Sequence, residues 1–288
     1  MMKTALVLGG TRFFGVNLIE RLIAEGVKVT VATRQSSEDP FGNRVERLKV
    51  DRFDEDSVRA AVEGREWDVV FDQLCFSSTD AEIIANTLSG KMKRYVFTST
   101  LSVYDYGTNM GEDVFDPYTY ELKMVDRQDV SYQEGKRQAE SFFFQRTDFP
   151  VVAMRIPIVL GEQDYTERLL HYVNYVKEGK EVFLPNLEAE MCFVHQKEAG
   201  DFLAWVANID FTGPINVCAN GFITMGNLLK LIEKKTGKNA IITTEEKSES
   251  PYAITETWSM SNEKATKLGY TFTNLEDWLP DLVTYLAK

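Results

Sequence analysis

The most constraining feature of this chain is a regular alternation of short apolar strands and amphipathic helices through its first half. Thr4–Leu8 is an apolar run ending in Gly9-Gly10 and predicts a strand. Val16–Glu25 follows, with Val16, Leu18, Ile19, Leu22 and Ile23 at helical spacing. The pattern then predicts strands over Lys28–Ala32, Arg47–Val50, Asp68–Phe71, Arg94–Thr98 and Val151–Arg155. It predicts helices over Glu55–Val62, Asp80–Leu88 and Tyr132–Gln145. Continuous apolar strands separated by helices belong to a parallel sheet covered on both faces. The expected class is α/β, with a doubly wound parallel sheet.

The second half is less regular. Glu167–Lys177, Glu198–Val206, Met225–Thr236 and Leu275–Leu286 read as helices, and Ile215–Cys218 and Ile241–Thr244 as strands. The expected division is a first domain over residues 1–160, with returning segments around 190–220, and a smaller α/β lobe over 161–288. Between a strand and a helix, Asp105–Asp129 forms a long excursion rich in acids and tyrosines. Excursions of that length are either functional or solvated insertions.

Charge narrows the function classes. Thirty-two Lys and Arg against 44 Asp and Glu give a net charge of −12. That field repels nucleic-acid backbones and anionic membranes, so neither is an expected partner, although a local basic pocket can still take a small anion. No run approaches the roughly 20 apolar residues that span a bilayer. The first apolar run is too short for a signal-peptide core of about 7–15 residues. Cys75, Cys192 and Cys218 are scattered, and His171 and His195 are the only histidines. No metal site is expected, and reduced thiols fit a cytoplasmic protein.

The strongest local signal is Leu8-Gly9-Gly10-Thr11-Arg12-Phe13-Phe14-Gly15, between the first strand and first helix. Glycines there permit a tight turn and let backbone N–H groups approach a pyrophosphate. The helix N-terminus adds positive potential. This points to dinucleotide binding, although Arg12 stands where the usual spacing has its middle glycine.

Dinucleotide choice is read at the end of the second strand. An acid there would bond the adenosine ribose of NAD. The sequence instead reads Val31-Ala32-Thr33-Arg34. Arg34 and Arg12 can both pair with a 2′-phosphate, which favours NADP(H) over NAD(H). The alternative is that Arg34 only stacks on adenine.

Tyr132-Gln133-Glu134-Gly135-Lys136 places a phenol and an ammonium one helical turn apart. A free phenol, with a reference pKa of about 10, exchanges protons poorly at neutral pH. A neighbouring cation favours its phenolate form. The strand end Thr98-Ser99-Thr100-Leu101-Ser102-Val103-Tyr104 adds hydroxyls that can hold a carbonyl beside such an acid.

Together these segments resemble the extended short-chain dehydrogenase/reductase superfamily, the NAD-dependent epimerase/dehydratase group. Val50-Asp51-Arg52-Phe53-Asp54 resembles its adenine-side turn. Arg155-Ile156-Pro157-Ile158-Val159-Leu160-Gly161 and Phe193-Val194-His195 resemble later landmarks. The arginine-bearing GGTRFFG turn is also similar to that of a subgroup containing chloroplast stem-loop-binding proteins.

The resemblance implies a Rossmann domain, a substrate-binding C-terminal lobe and hydride transfer at a hydroxyl or carbonyl of a small molecule, with a sugar or sugar-like compound among the candidates. Tyr132 would be the acid/base. Lys136 would assist it and bond the nicotinamide ribose. Thr100 would be the catalytic hydroxyl, with Ser99 as the fallback. Gly9, Thr11, Phe13, Phe14 and Gly15 would cradle the pyrophosphate. Asp51 and Arg52 would flank adenine, Leu74 and Cys75 would line the nucleoside side, and Pro157 would lie near the nicotinamide. Ser99, Tyr104 and His195 are candidate substrate contacts, though His195 could equally be a histidine that opens a helix.

Two departures weigh against a nucleotide-sugar substrate. Ile158 stands where many members have asparagine, and Met191 where many have a diphosphate-binding arginine. The other readings are a non-catalytic nucleic-acid-binding protein or a dinucleotide sensor on the same fold. A homodimer is compatible with all of them.

Overall fold

A computed structural model describes residues 2–36, 38–245 and 250–288. β1 (Thr4–Leu8) lies inside a sheet because Ala5, Leu6, Val7 and Leu8 are each at most 1% exposed, so both its faces are covered. β2 (Lys28–Thr33) and β3 (Glu46–Lys49) extend the sheet on one side. β4 (Trp67–Asp72), β5 (Met92–Thr100) and the strands Val151–Ile156 and Gly213–Asn216 extend it on the other. All six pairings of this seven-stranded sheet are parallel. The strand order reverses direction between β1 and β4, so a ligand crevice opens at their carboxyl ends.

Helices α1 (Phe14–Ala24), α2 (Glu55–Ala61), α3 (Ser78–Leu88) and α4 (Tyr132–Arg146) connect these strands. Three of them start where a short polar side chain takes up an orphan N–H. Asp54 accepts from Asp56 and Ser57, Ser77 and Asp80 form a reciprocal capping box, and Ser131 accepts from Glu134. The apolar stripes of α3 and α4 pack Ile84, Leu88, Ala139 and Phe143 against β4 and β5, with Phe97 and Tyr95 at the centre.

Two compact units result. The first is Met1–Tyr104, Glu112–Ile156 and Lys197–Val217; the second is Asp105–Gly111, Pro157–Gln196 and Cys218–Lys288. The second unit has its own core, built by helices Arg168–Glu178, Met225–Thr236 and Leu275–Leu286 around Tyr172, Phe193 and Tyr252. Its four-stranded sheet runs Ile223–Thr224, Glu190–Met191, Trp258–Met260, Gly107–Met110. The last of these comes from the acidic excursion, which is therefore partly a sheet edge. Among the described residues, no helix is long and apolar enough to cross a membrane.

Candidate active site

The glycine turn leaves β1 with Gly9 and Gly10 at φ +86° and +80°, a region that L side chains rarely adopt. The Gly9 N–H bonds the Ala32 carbonyl at 3.0 Å, which ties the turn to the end of β2. A Cβ on Gly15 would fall 2.5 Å from the Gly10 Cα, so α1 can close on the turn only with glycine there. Phe13, at the N-cap of α1, takes φ +51°. Strain of this kind is on the order of 1–3 kcal/mol and gathers at functional turns. No side chain caps α1, and its first turn has no acid. A pyrophosphate would meet the positive end of the helix without competing with a carboxylate. The turn fits a dinucleotide.

Tyr132 is the first residue of α4 and Lys136 lies one turn later. Lys136 is buried, and its Nζ donates to the Cys75 carbonyl at 2.7 Å and the Thr98 carbonyl at 2.8 Å. Those carbonyls lie past β4 and near the end of β5, so the ammonium is fixed at the mouth of the sheet. Two of its three donors are used in this way. It lies 4.8 Å from the Phe97 ring centroid and 5.8 Å from that of Tyr132. Tyr132 is 46% exposed and meets Phe76 edge-on at 5.0 Å. Gly135 makes the approach possible, because a Cβ there would fall 2.8 Å from the Phe76 carbonyl oxygen.

At the end of β5, side chains alternate between faces. Thr100 accepts from the Ser102 N–H at 3.1 Å and keeps its O–H to donate. Ser99 is on the other face, 1% exposed, and donates to Glu140. The fallback and substrate roles expected of Ser99 are therefore withdrawn. Tyr104 is also corrected. It is 1% exposed, donates to Asn216 Oδ1 at 2.7 Å and accepts from Arg155 Nη1 at 2.8 Å. Burial pushes its phenol well above the usual range, against the pull of Arg155. It is a structural member of a buried polar network and has no face for substrate.

Of the residues expected near adenine and its ribose, Arg12 and Arg34 are exposed, at the glycine turn and just past β2. Asp51 is half-buried, and its Oδ1 accepts the Phe53 N–H at 3.1 Å. The Arg52 side chain does not flank a ligand. It is 3% exposed, and its Nε donates to Asp72 Oδ2 at 2.7 Å, an oxygen that also accepts from the Tyr95 phenol at 2.8 Å. Cys75 is corrected in the same way. Its thiol is fully buried and pushed up by that burial, and it is the carbonyl that takes part, by holding Lys136. Leu74 is 38% exposed and packs over Gly9.

The second unit carries the other expected residues. Pro157 is buried at its start. His195 closes the strand Phe193–His195, with Nε2 3.6 Å from the Glu162 carboxylate and its ring edge-on to Trp278 at 5.3 Å. Met191 is 1% exposed and registers with Ile223 and Trp258. It is part of the second unit's core.

A family model described as the NAD dependent epimerase/dehydratase family matches residues 5–218. The chain belongs to this family. Among curated proteins, it is similar to the chloroplast stem-loop binding protein of 41 kDa b from Arabidopsis thaliana. Identity is 27% over 254 residues, covering 82% of this chain but only 64% of that relative's length. Two solved epimerase/dehydratase structures share the fold. The dTDP-glucose 4,6-dehydratase of Bacillus anthracis, in complex with NAD, has a TM-score of 0.76 at 16% identity, covering 98% of this chain and 96% of that one. The UDP-glucose 4-epimerase of Thermus thermophilus, also with NAD, has a TM-score of 0.71 at 18% identity, covering 93% of each chain.

Sequence reasoning missed what holds this candidate site in place. Glu140 and Arg155 pair at 2.6 Å, both fully buried, and Arg155 also donates to the Glu112 and Phe115 carbonyls. Gln73 packs against the space beside Gly10 and Gly15. The sole sequence signals were an ionisable residue in an apolar strand, Arg155, and one in a helix, Glu140.

Proposed function

We propose that the chain is an NADP(H)-dependent oxidoreductase, epimerase or dehydratase acting at a hydroxyl or carbonyl of a small, sugar-like molecule. The observation that carries this reading is the Lys136 ammonium, fixed by two strand-end carbonyls beside the Tyr132 ring. A helix pair on a solvated surface would need no such anchoring.

When bound, the nicotinamide supplies or accepts a hydride at the substrate carbon. Tyr132 gives its phenolic proton to the carbonyl oxygen in reduction, or takes the hydroxyl proton in oxidation. Lys136 stabilises negative charge developing on the phenol oxygen and holds the nicotinamide ribose. Thr100 donates a hydrogen bond to the reacting oxygen. Gly9, Thr11, Phe13, Phe14 and Gly15 hold the pyrophosphate, with Leu74 above them. Asp51 and the Arg52 backbone face adenine, and Arg34 and Arg12 face the 2′-phosphate. His195 and Pro157 are proposed substrate-side and nicotinamide-side residues.

The test is a screen of aldehydes, ketones and sugars with NADPH deuterated at nicotinamide C4. Deuterium appearing on a substrate carbon supports a net reduction. An epimerase or dehydratase returns its hydride to the same molecule, so the sugars are also incubated with NADP+, and the reading is opposed if no label transfers and no sugar is converted in either arm. The stem-loop-binding relative favours a second reading, a nucleic-acid-binding protein on this fold. The net charge of −12 opposes it. Tight binding of RNA stem-loops at physiological salt by a chain inert in the screen would favour that second reading.

A further inference from the structure

The part of the acidic excursion that belongs to the first unit is an ordered strap. Gln145 Nε2 donates to the Pro117 and Tyr120 carbonyls, both at 2.8 Å. Gln138 accepts from the Lys123 N–H at 2.7 Å and donates to the Glu121 carbonyl at 3.0 Å. The strap thus runs along α4. It then crosses the start of α3, where Ser78 Oγ donates to the Lys123 carbonyl at 2.7 Å and accepts from Val125 at 2.8 Å. Thr79 Oγ1 ties Asp126 at 2.7 Å.

The next residue reaches the turn that follows β3. The Arg127 guanidinium carbon lies 3.6 Å from the Phe53 ring centroid. Phe53 is itself fixed through its N–H by the Asp51 carboxylate. A guanidinium held over an aromatic ring keeps its plane and its charge, and its opposite face is left for a second flat group to stack on. The strap then continues into α4 at Tyr132.

We propose that Arg127 and Phe53 form an adenine-side clamp, a planar stack against which the purine of the dinucleotide packs beside Asp51. This rests on the dinucleotide reading above. It adds a residue that neither the glycine turn nor the Tyr-x-x-x-Lys pair reveals. The clamp acts on the base, so it contributes equally to NADPH and NADH, whereas Arg34 and Arg12 act on the 2′-phosphate alone.

The test is calorimetric titration of the full chain with NADPH, NADH and ADP-ribose. Arg127→Ala should weaken all three by a similar factor, about 3–30-fold, the range of a cation–π contact. Phe53→Leu should reproduce the loss. Arg127→Lys should remain weak, because an ammonium has no plane to stack. Unchanged thermal unfolding of each variant separates the effect from general loosening. Wild-type affinity in Arg127→Ala, full rescue by lysine, or a loss confined to NADPH would each overturn the clamp while leaving dinucleotide binding standing. If the unmodified chain binds none of the three, the clamp and the reading beneath it fall together.

Discussion

Arg155 and Glu140 face each other at 2.6 Å with both side chains fully buried, one on the strand next to β5 and the other on α4. The pair fastens α4, the helix of Tyr132 and Lys136, to the sheet. Arg155 also holds the Tyr104 phenol and two carbonyls at the start of the strap. Removing one partner of a buried ion pair leaves the other charged and unsolvated, at a cost of about 3–5 kcal/mol. Arg155→Met should lose that much stability in urea unfolding. Arg155→Met with Glu140→Leu should recover a large part of it. A single variant as stable as the parent would show that the pair is not coupled to folding.

Asp68 makes stability depend on acid. Its Oδ2 accepts the Lys3 N–H at 2.7 Å and the Thr4 N–H at 3.0 Å, and its Oδ1 accepts from Lys93 at 2.7 Å. The bond from Lys93, then those from the backbone, lower its pKa to about 2. The folded value lies below the unfolded one of about 3.9, so the unfolded chain binds more protons between them. The contribution is complete above about pH 4 and is lost as pH falls through about 2. Asp68→Asn should cost about 1–2 kcal/mol at neutral pH, the scale of backbone bonds to a charged acceptor. Denaturant midpoints of parent and variant should converge toward pH 2, and a constant gap would contradict the assignment.

Arg34 lies exposed just past β2, where an acid would select NAD. NADPH should bind more tightly than NADH. Arg34→Asp should narrow or invert the difference by removing a charge-assisted bond and adding a repulsion, together about 10–100-fold. Calorimetry showing equal or better NADH binding by the parent would assign Arg34 to adenine stacking instead.

The sheet was legible because β1, β4 and β5 carry the short apolar runs Ala5–Leu8, Val69–Phe71 and Tyr95–Phe97 between helical segments, the pattern of a covered parallel sheet. The small sheet was not. Glu190–Met191 and Ile223–Thr224 are two residues each, too short to show an alternation, and Gly107–Met110 has none. That Tyr132 and Lys136 are neighbours was legible because helical spacing alone brings them together. Ser99, Tyr104, Cys75 and the Arg52 side chain were not, because a motif gives a position in the chain and not the side a residue faces. Tyr104 is turned inward by Asn216, and Arg52 by Asp72. Those partners are distant in sequence, and nothing local announces them.

The proton assignment can be tested by substitutions that keep shape. Tyr132→Phe retains the ring and its edge contact with Phe76 but deletes the transferable proton. Dinucleotide affinity should stay near the parent's, and turnover on a substrate found in the screen should fall by about 10²–10⁴-fold, the range of acid–base catalysis. Lys136→Met keeps most of the stem but removes the ammonium that bonds the Cys75 and Thr98 carbonyls. It should damage both affinity and turnover, because its assigned roles include the ribose as well as the phenol. Thr100→Val should lower turnover less than Tyr132→Phe, and Ser99→Ala should act through stability, because Ser99 bonds Glu140 on the buried face. If Tyr132→Phe keeps full turnover while Lys136→Met loses dinucleotide binding, the site binds as assigned but takes its proton from another group.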